Sequence, residues 1–261
     1  MMFWKYQGIG NDFVLLDRRA DPIPPTPDLA RSLCDRRVGV GADGLVVLLP
    51  PSAGGDVRMA FRNADGSTAE MCGNGIRCLA IHLHDGAPTR REFLVETDSG
   101  TRRCTIHGRE VEAEMGAAVI EGDPDEAVDV VGRSIRLTRV RTGNPHAVTF
   151  DPIAASDRAA LGAAVETHPL FPDRTNVEFT EVRSPSHLVV TVWERGVGFT
   201  RACGTGACAA AAAACRTGRA KFDSPIVVTL PGGDLTITVR ADLSSMRMRG
   251  PAVKVFEGTI G

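Results

Sequence analysis

Lysine is nearly missing from this chain: only Lys5, Lys221 and Lys254 occur among 261 residues, although Lys and Arg together number 30. None of the three sits in a Gly-rich or motif-like setting, so a Schiff-base lysine for pyridoxal phosphate is poorly supported and no cofactor is expected. A charge excess is lacking too. The formal net charge is −2 and the pI about 6.3, which leaves no electrostatic footprint for nucleic acid or an acidic membrane surface. Gly39, Gly41 and Gly44 form a Gly-rich loop, but no Gly-Lys-Ser/Thr follows it, so it is weak evidence for phosphate binding. Paired C-x-x-C motifs and nearby Cys/His clusters are absent, which argues against zinc, and no metal is expected. Seven cysteines is an odd count without disulfide-framework spacing. Reduced thiols and a cytoplasmic location are the expectation. Met1 to Tyr6 runs straight into structure without a signal-peptide pattern.

What the chain does have is a run of very small side chains. From Ala207 to Cys215 every residue is Ala or Cys. Such a run is strongly helix-forming and has no polar face, so a buried helix, closely approached on all sides, is predicted. It is far short of the ~20 residues of a membrane span. Gly204 and Gly206 flank Thr205 and break the chain before it, leaving Cys203 just ahead of the first turn. The N–H groups of a helix start favour an anion, whether a thiolate or a substrate carboxylate.

The same pattern occurs twice. Cys72-Gly73-Asn74-Gly75 matches Cys203-Gly204-Thr205-Gly206, 131 residues further on. Asn63 precedes Cys72 by nine residues, as Glu194 precedes Cys203, and Gly10-Asn11 and Gly143-Asn144 are 133 apart. A duplicated domain is the reading. The expected boundaries are 1–116 plus 251–261 for the domain carrying Cys72, and 117–250 for the domain carrying Cys203.

Taken in order, Phe3 to Asp17 reads as strand, Gly-rich turn, strand. Thr26-Pro27-Asp28 gives a helix start, running to about Asp35. Strands are predicted at Leu45–Leu49 and at Val57–Asn63, where apolar and polar residues alternate. Ala64 to Glu70 connects to a helix from about Gly75 to His84. Strands follow near Glu92–Thr97, Arg102–His107 and Val111–Met115. Gly116 to Val130 is rich in Asp, Glu and Pro, and the domain boundary falls near its start. The second half adds strands near Ser134–Arg141, Ala147–Phe150, Asn176–Val182 and His187–Glu194, a helix at Asp157–Glu166, and four strands after the Ala-rich helix. The fold class is α+β: two similar domains, each a curved, mostly antiparallel sheet wrapped around a central helix.

Two thiols at helix starts, one per domain, suit inversion of a stereocentre. If the domains face each other, one thiolate removes a proton from a carbon and the other thiol returns one to the opposite face. The helix N–H groups would hold the α-carboxylate as it gains enolate character. A nucleophilic Cys hydrolase is the competing chemistry, but it needs one Cys with a His base. A non-catalytic amino-acid-binding protein is a third reading, which has no need of two thiols.

At this level the sequence resembles the diaminopimelate epimerase family over essentially its whole length. The resemblance is carried by Gly8-Ile9-Gly10-Asn11-Asp12-Phe13, by Asp65-Gly66 with Met71-Cys72-Gly73-Asn74-Gly75, by Gly143-Asn144-Pro145-His146, by Glu194-Arg195-Gly196-Val197-Gly198 and by Ala202-Cys203-Gly204-Thr205-Gly206. It implies cofactor-independent interconversion of LL- and meso-2,6-diaminopimelate, in lysine and peptidoglycan biosynthesis, by a homodimer without nucleic-acid or membrane partners. An epimerase of the proline racemase type, acting on another amino acid, is the alternative. By resemblance Cys72 and Cys203 are the acid/base pair, assisted by His146 and Glu194. Gly73, Asn74, Gly204 and Thr205 correspond to the carboxylate cradle. Asn11, Asn63, Asn144, Asn176, Glu194 and Arg195 correspond to groups that hold the substrate, with Arg the natural bidentate partner of a distal carboxylate. Cys34, Cys78, Cys104, Cys208 and Cys215 read as packing residues. Two positions depart from the family pattern: Phe199, where many members have Glu, and Gly44, where some have Gln.

Overall fold

The computed structural model describes residues 1–68 and 71–261. Ala69 and Glu70, the end of the connector read as Ala64 to Glu70, lie outside the described residues. The chain divides into two compact units, Met1–Glu114 with Arg249–Gly261, and Met115–Met248.

The chain begins with β1 (Met2–Gly8), β2 (Asn11–Asp17), α1 (Pro27–Cys34), β3 (Gly44–Leu49), β4 (Val57–Asn63), α2 (Gly73–Gly86), β5 (Glu92–Thr97), β6 (Gly100–His107) and β7 (Glu110–Gly116). Then come β8 (Val119–Val130), β9 (Arg133–Arg141), β10 (Pro145–Thr149), α3 (Ala155–Glu166), β11 (Asn176–Ser184), β12 (His187–Glu194), β13 (Gly198–Phe199) and α4 (Gly204–Arg216). After these follow β14 (Ile226–Leu230), β15 (Gly233–Val239) and β16 (Met246–Pro251), and β17 (Val253–Thr259) returns to the first unit.

The two units repeat one strand topology. In the first unit β17 pairs antiparallel with β1 and β1 with β2. Then β2–β3 is parallel, β3–β4 antiparallel, β4–β5 parallel and β5–β6 antiparallel. In the second unit β8–β9 and β9–β10 are antiparallel. Then β10–β11 is parallel, β11–β12 antiparallel, β12–β14 parallel and β14–β15 antiparallel. A parallel step needs a crossover, and each of the four contains a helix: α1 and α2 in the first unit, α3 and α4 in the second. The duplication seen in the motifs is therefore a duplication of the whole strand order.

Sequence explains the helices locally. Thr26 accepts a hydrogen bond from Leu29 N at 3.1 Å and Pro27 opens the first turn, so α1 begins where its cap residue stands. It covers one sheet face through Ala30, Leu33 and Cys34, against Val14, Leu16, Leu45 and Val47. Helix α2 packs on β1, β2, β3, β6 and β17. With helices on both sides, β3 is buried along its whole length, hence its unbroken Leu-Val-Val-Leu-Leu run. In the second unit α3 sets Leu161 and Val165 on Ile135, Leu137, Val177 and Phe179. Helix α4 packs against β8, β9, β10, β11, β12, β14 and β15, and every side chain from Ala207 to Cys215 is buried.

One stretch departs from the sequence reading. Gly116 to Val130, with its acidic residues and Pro124, contains the strand β8. Its register on β9 is broken between Glu121 and Glu126, which takes Pro124 out of the ladder.

Candidate active site

Both cysteine motifs are helix N-caps. Cys72 has φ −126° and ψ 108°, and its sulfur accepts Gly75 N at 3.4 Å. Cys203 has φ −125° and ψ 108°, and its sulfur accepts Gly206 N at 3.4 Å. The helices thus start two residues earlier than Gly75 and Gly206 suggest, with the thiol itself closing the first turn. Gly73 with Asn74, and Gly204 with Thr205, occupy the first helical positions, where N–H groups project from the helix end.

In the first unit the residues expected beside Cys72 form a chain of hydrogen bonds. Asn74 Nδ2 donates to Asn11 Oδ1 at 3.0 Å, and Asn11 Nδ2 donates to Asp43 Oδ2 at 2.8 Å. Asp43 also receives Asp12 N and the Arg36 guanidinium. Buried Lys5 pairs with Asp12 at 2.6 Å and reaches the Gly41 carbonyl. Burial pushes the Asp12 carboxyl up, but hydrogen bonds from Arg36 and Lys5 outweigh it and hold Asp12 well below the usual carboxylate range. Asn63 lies at the end of β4 opposite Gly44, and its amide donates to Ser67 Oγ at 2.9 Å, away from that chain. A Cβ on Gly44 would lie 2.7 Å from the Phe61 ring, so a glutamine cannot stand here unless Phe61 moves.

In the second unit β10 and β11 run parallel, with His146 opposite Asn176. His146 is fully buried: Nδ1 lies 2.7 Å from Glu178 Oε1 and Nε2 lies 3.0 Å from Asn144 Oδ1. Asn176 Nδ2 donates to Pro145 O at 3.1 Å, and its Oδ1 accepts Arg195 N at 2.9 Å. The Arg195 side chain is exposed and donates to Asp173 O at 2.8 Å. Glu194 accepts the Thr200 hydroxyl. Phe199 stands edge-on to Trp193, with ring centroids 5.2 Å apart. Cys203 is only 6% exposed. Burial first, then the charges of Glu194 and Glu178, push its thiol well above the ordinary thiol range.

Two carboxylates beyond the expected set belong to this region. Glu178 is one, and its signal was legible: it lies two residues after Asn176 on a strand, hence on the same face. Glu166 is the other. It closes α3, accepts Gly196 N at 2.8 Å and Trp193 Nε1 at 2.7 Å, and pairs with Arg174, clamping the turn that carries Arg195. Nothing local in the sequence marks it. Cys78 and Cys104 are buried thiols pushed up to about 12 by burial, and Cys34 and Cys215 rise to about 11 for the same reason, as packing residues do. Cys208 is wholly buried in α4. Among the described residues no group of three His, Cys, Asp or Glu side chains gathers as a metal centre, and no helix is long and apolar enough to cross a membrane.

The repeated α+β fold, with a cysteine capping α2 and another capping α4, is what the comparisons with known proteins bear on, and they place the chain among isomerases. The sequence model of diaminopimelate epimerase matches residues 3–121 and again 138–255. The chain belongs to the diaminopimelate epimerase family. It is 45% identical to the diaminopimelate epimerase of Synechococcus sp. strain JA-2-3B'a(2-13), over 99% of this chain and 98% of the relative. It is 41% identical to that of Methanothermobacter thermautotrophicus, over 100% and 98%. Among solved structures, a predicted epimerase from Pseudomonas aeruginosa shares the fold with a TM-score of 0.75 at 18% identity, over 99% of this chain and 98% of that one. A probable proline racemase from Agrobacterium radiobacter K84 does so with 0.76 at 15%, over 100% and 92%.

Proposed function

We propose that this chain epimerises 2,6-diaminopimelate between its LL and meso forms, with Cys72 and Cys203 as the acid/base pair. The observation that carries the reading is the matched pair of cysteine N-caps, one in each repeat. The α-proton of an amino acid is weakly acidic, so removing it needs a base in contact and donors for the enolate-like carboxylate. An N-cap cysteine supplies both: a sulfur, and beside it the N–H groups of Gly73 and Asn74 or of Gly204 and Thr205. One thiolate takes the proton while the other thiol delivers its own to the opposite face. Burial and the nearby Glu194 and Glu178 carboxylates push the Cys203 thiol upward, which favours its protonated, proton-donating form. His146 and Glu194 stand near the Cys203 end. Asn11, Asn63, Asn144, Asn176 and Arg195 supply polar groups for the distal amino-acid centre. The Arg195 guanidinium is exposed and has five N–H donors, a geometry suited to a carboxylate.

The relatives at 41–45% identity are all named diaminopimelate epimerase, whereas the likeness to proline racemase is one of fold. The product serves lysine and peptidoglycan biosynthesis, and the unframed odd cysteine count suits the cytoplasm. A homodimer fits the exposed apolar residues Val253, Val255 and Phe256 on β17.

The test is isotopic. A thiol carries a single proton, so the proton removed stays on the sulfur that took it, and the proton delivered has already exchanged with solvent. In deuterated water early turnover should put deuterium in the product isomer and leave recovered substrate almost unlabelled. Equal early labelling of both isomers would remove the two-thiol reading. No interconversion of the isomers at all would remove the substrate assignment.

A further inference from the structure

Glu178 lies between two groups of the proposed site. Its Oε1 is 2.7 Å from His146 Nδ1, and both side chains have no solvent exposure. Two lone pairs do not approach so closely in a buried site, so a proton lies between them. The other ring nitrogen lies 3.0 Å from Asn144 Oδ1, so both ring nitrogens have a side-chain partner. Partners on both nitrogens fix the orientation of the ring. On the other side Glu178 abuts the first turn of α4. A Cβ built on Gly206 would lie 2.8 Å from Glu178 Oε1 and 3.2 Å from Cys203 Sγ, so carboxylate and sulfur border the same point. The second oxygen, Oε2, is buried and has no hydrogen-bond partner among the described residues. A fully paired structural carboxylate would not leave an oxygen bare at this depth. Gly206 is then a steric requirement, since any side chain there would push Glu178 away from the ring.

We propose that Glu178 is a positioning residue that locks the His146 ring by a shared proton and, from the opposite side of the same carboxylate, keeps the Cys203 thiol protonated. The proposal rests on the reading of Cys203 and His146 as parts of the catalytic machinery. The charged and titratable groups around the sulfur are Glu178 on β11, Glu194 on β12 and, through Glu178, His146 on β10. Removing the charge nearest the ring should therefore have two opposite effects. The thiol ionises more readily, and the ring loses its fixed orientation.

The experiment is Glu178→Gln, which keeps the shape of the side chain. In a Cys72→Ser background the alkylation of Cys203 by iodoacetamide is followed against pH with peptide mapping. Epimerase turnover is measured with Cys72 intact. The expected result is an alkylation profile moved to lower pH, making Cys203 about tenfold more reactive near pH 8, one pKa unit being a factor of ten, together with slower turnover at nearly unchanged KM. A merely structural role would lower the melting temperature without moving the profile, and an unmoved profile overturns the proposal. If the variant does not fold, the unaltered protein labelled with 15N-histidine decides. A strongly downfield proton coupled to His146 Nδ1 is expected, and its absence overturns the shared proton. Neither the alkylation nor the NMR readout involves diaminopimelate, so failure of the substrate assignment is seen separately, in the turnover of the unaltered chain.

Discussion

The heads of α2 and α4 have the same backbone and different helices behind them. Their cap dihedrals agree within a degree, and each sulfur accepts the N–H three residues on at 3.4 Å. Behind the caps the helices diverge. Where α2 has Ile76, Leu79 and Ile81, α4 has Ala207, Ala210 and Ala212. One repeat fills its interior from the helix, the other lets the sheet supply the volume. Charge differs as well. Helix α2 buries a guanidinium, Arg77, which donates to Gly73 O at 3.2 Å, whereas the α4 cap has carboxylates beside it. The comparison teaches that the repeat preserves the cap while packing and electrostatics vary. A proton exchange between faces needs one thiolate and one thiol.

The sharpest way to break the comparison is to remove either sulfur. Cys72→Ser and Cys203→Ser should each lower epimerisation by about 10²–10⁴-fold, because a hydroxyl is a far poorer base near neutral pH. Calorimetric titration should still detect substrate binding in both. Near-normal turnover of either serine variant would show that the caps are not functionally equivalent.

Exchanging the helix interiors comes next. Leu79→Ala should leave a cavity costing about 2–5 kcal/mol. The corresponding Ala210→Leu has no room and should cost about 1–3 kcal/mol by overpacking. Denaturant unfolding measures both. An Ala210→Leu protein as stable as the parent would mean that the sheet around α4 is not closely packed.

The smallest effect concerns the thiols themselves. Cys203 has its pKa raised, so at pH 7–8 it stays neutral and reacts as thiolate only above the ordinary thiol range. Iodoacetamide at pH 7.5 should label Cys72 faster than Cys203, because Cys72 is the more exposed of the two and the Cys203 thiol is pushed upward by burial and two carboxylates. Mass-spectrometric peptide mapping reads the ratio, and equal rates would erase the proposed asymmetry.

Much of the fold was legible because its periodicities are strong. The alternation in Val57 to Asn63, the cap at Thr26-Pro27 and the Ala-rich run each became the element expected. Strand β8 was not legible. Its acidic residues and Pro124 disfavour a strand, and only pairing with β9, interrupted where Pro124 stands, makes it one. Within the candidate site the glycines flanking each cysteine were readable as a break before a helix, but the cysteine's own role as cap was not, since Cys is an uncommon capping residue. The strand register puts Glu178 on the face of Asn176, but the burial of its carboxylate is not readable, since a glutamate in a strand usually faces water. Its burial comes from α4 lying across β11, a tertiary fact.

The bareness of α4 has one more consequence. Alanine has no rotamer to change, so this 13-residue helix holds almost no side-chain freedom with which to absorb a disturbance. A leucine-rich helix can take up a shift in a neighbouring strand by turning a side chain, whereas α4 has to move as a rod. A change at the Thr217 end, about 20 Å away at 1.5 Å per residue, therefore arrives at Cys203 as displacement of the sulfur. The whole inner face of the sheet acts as the mould that sets where one atom stands.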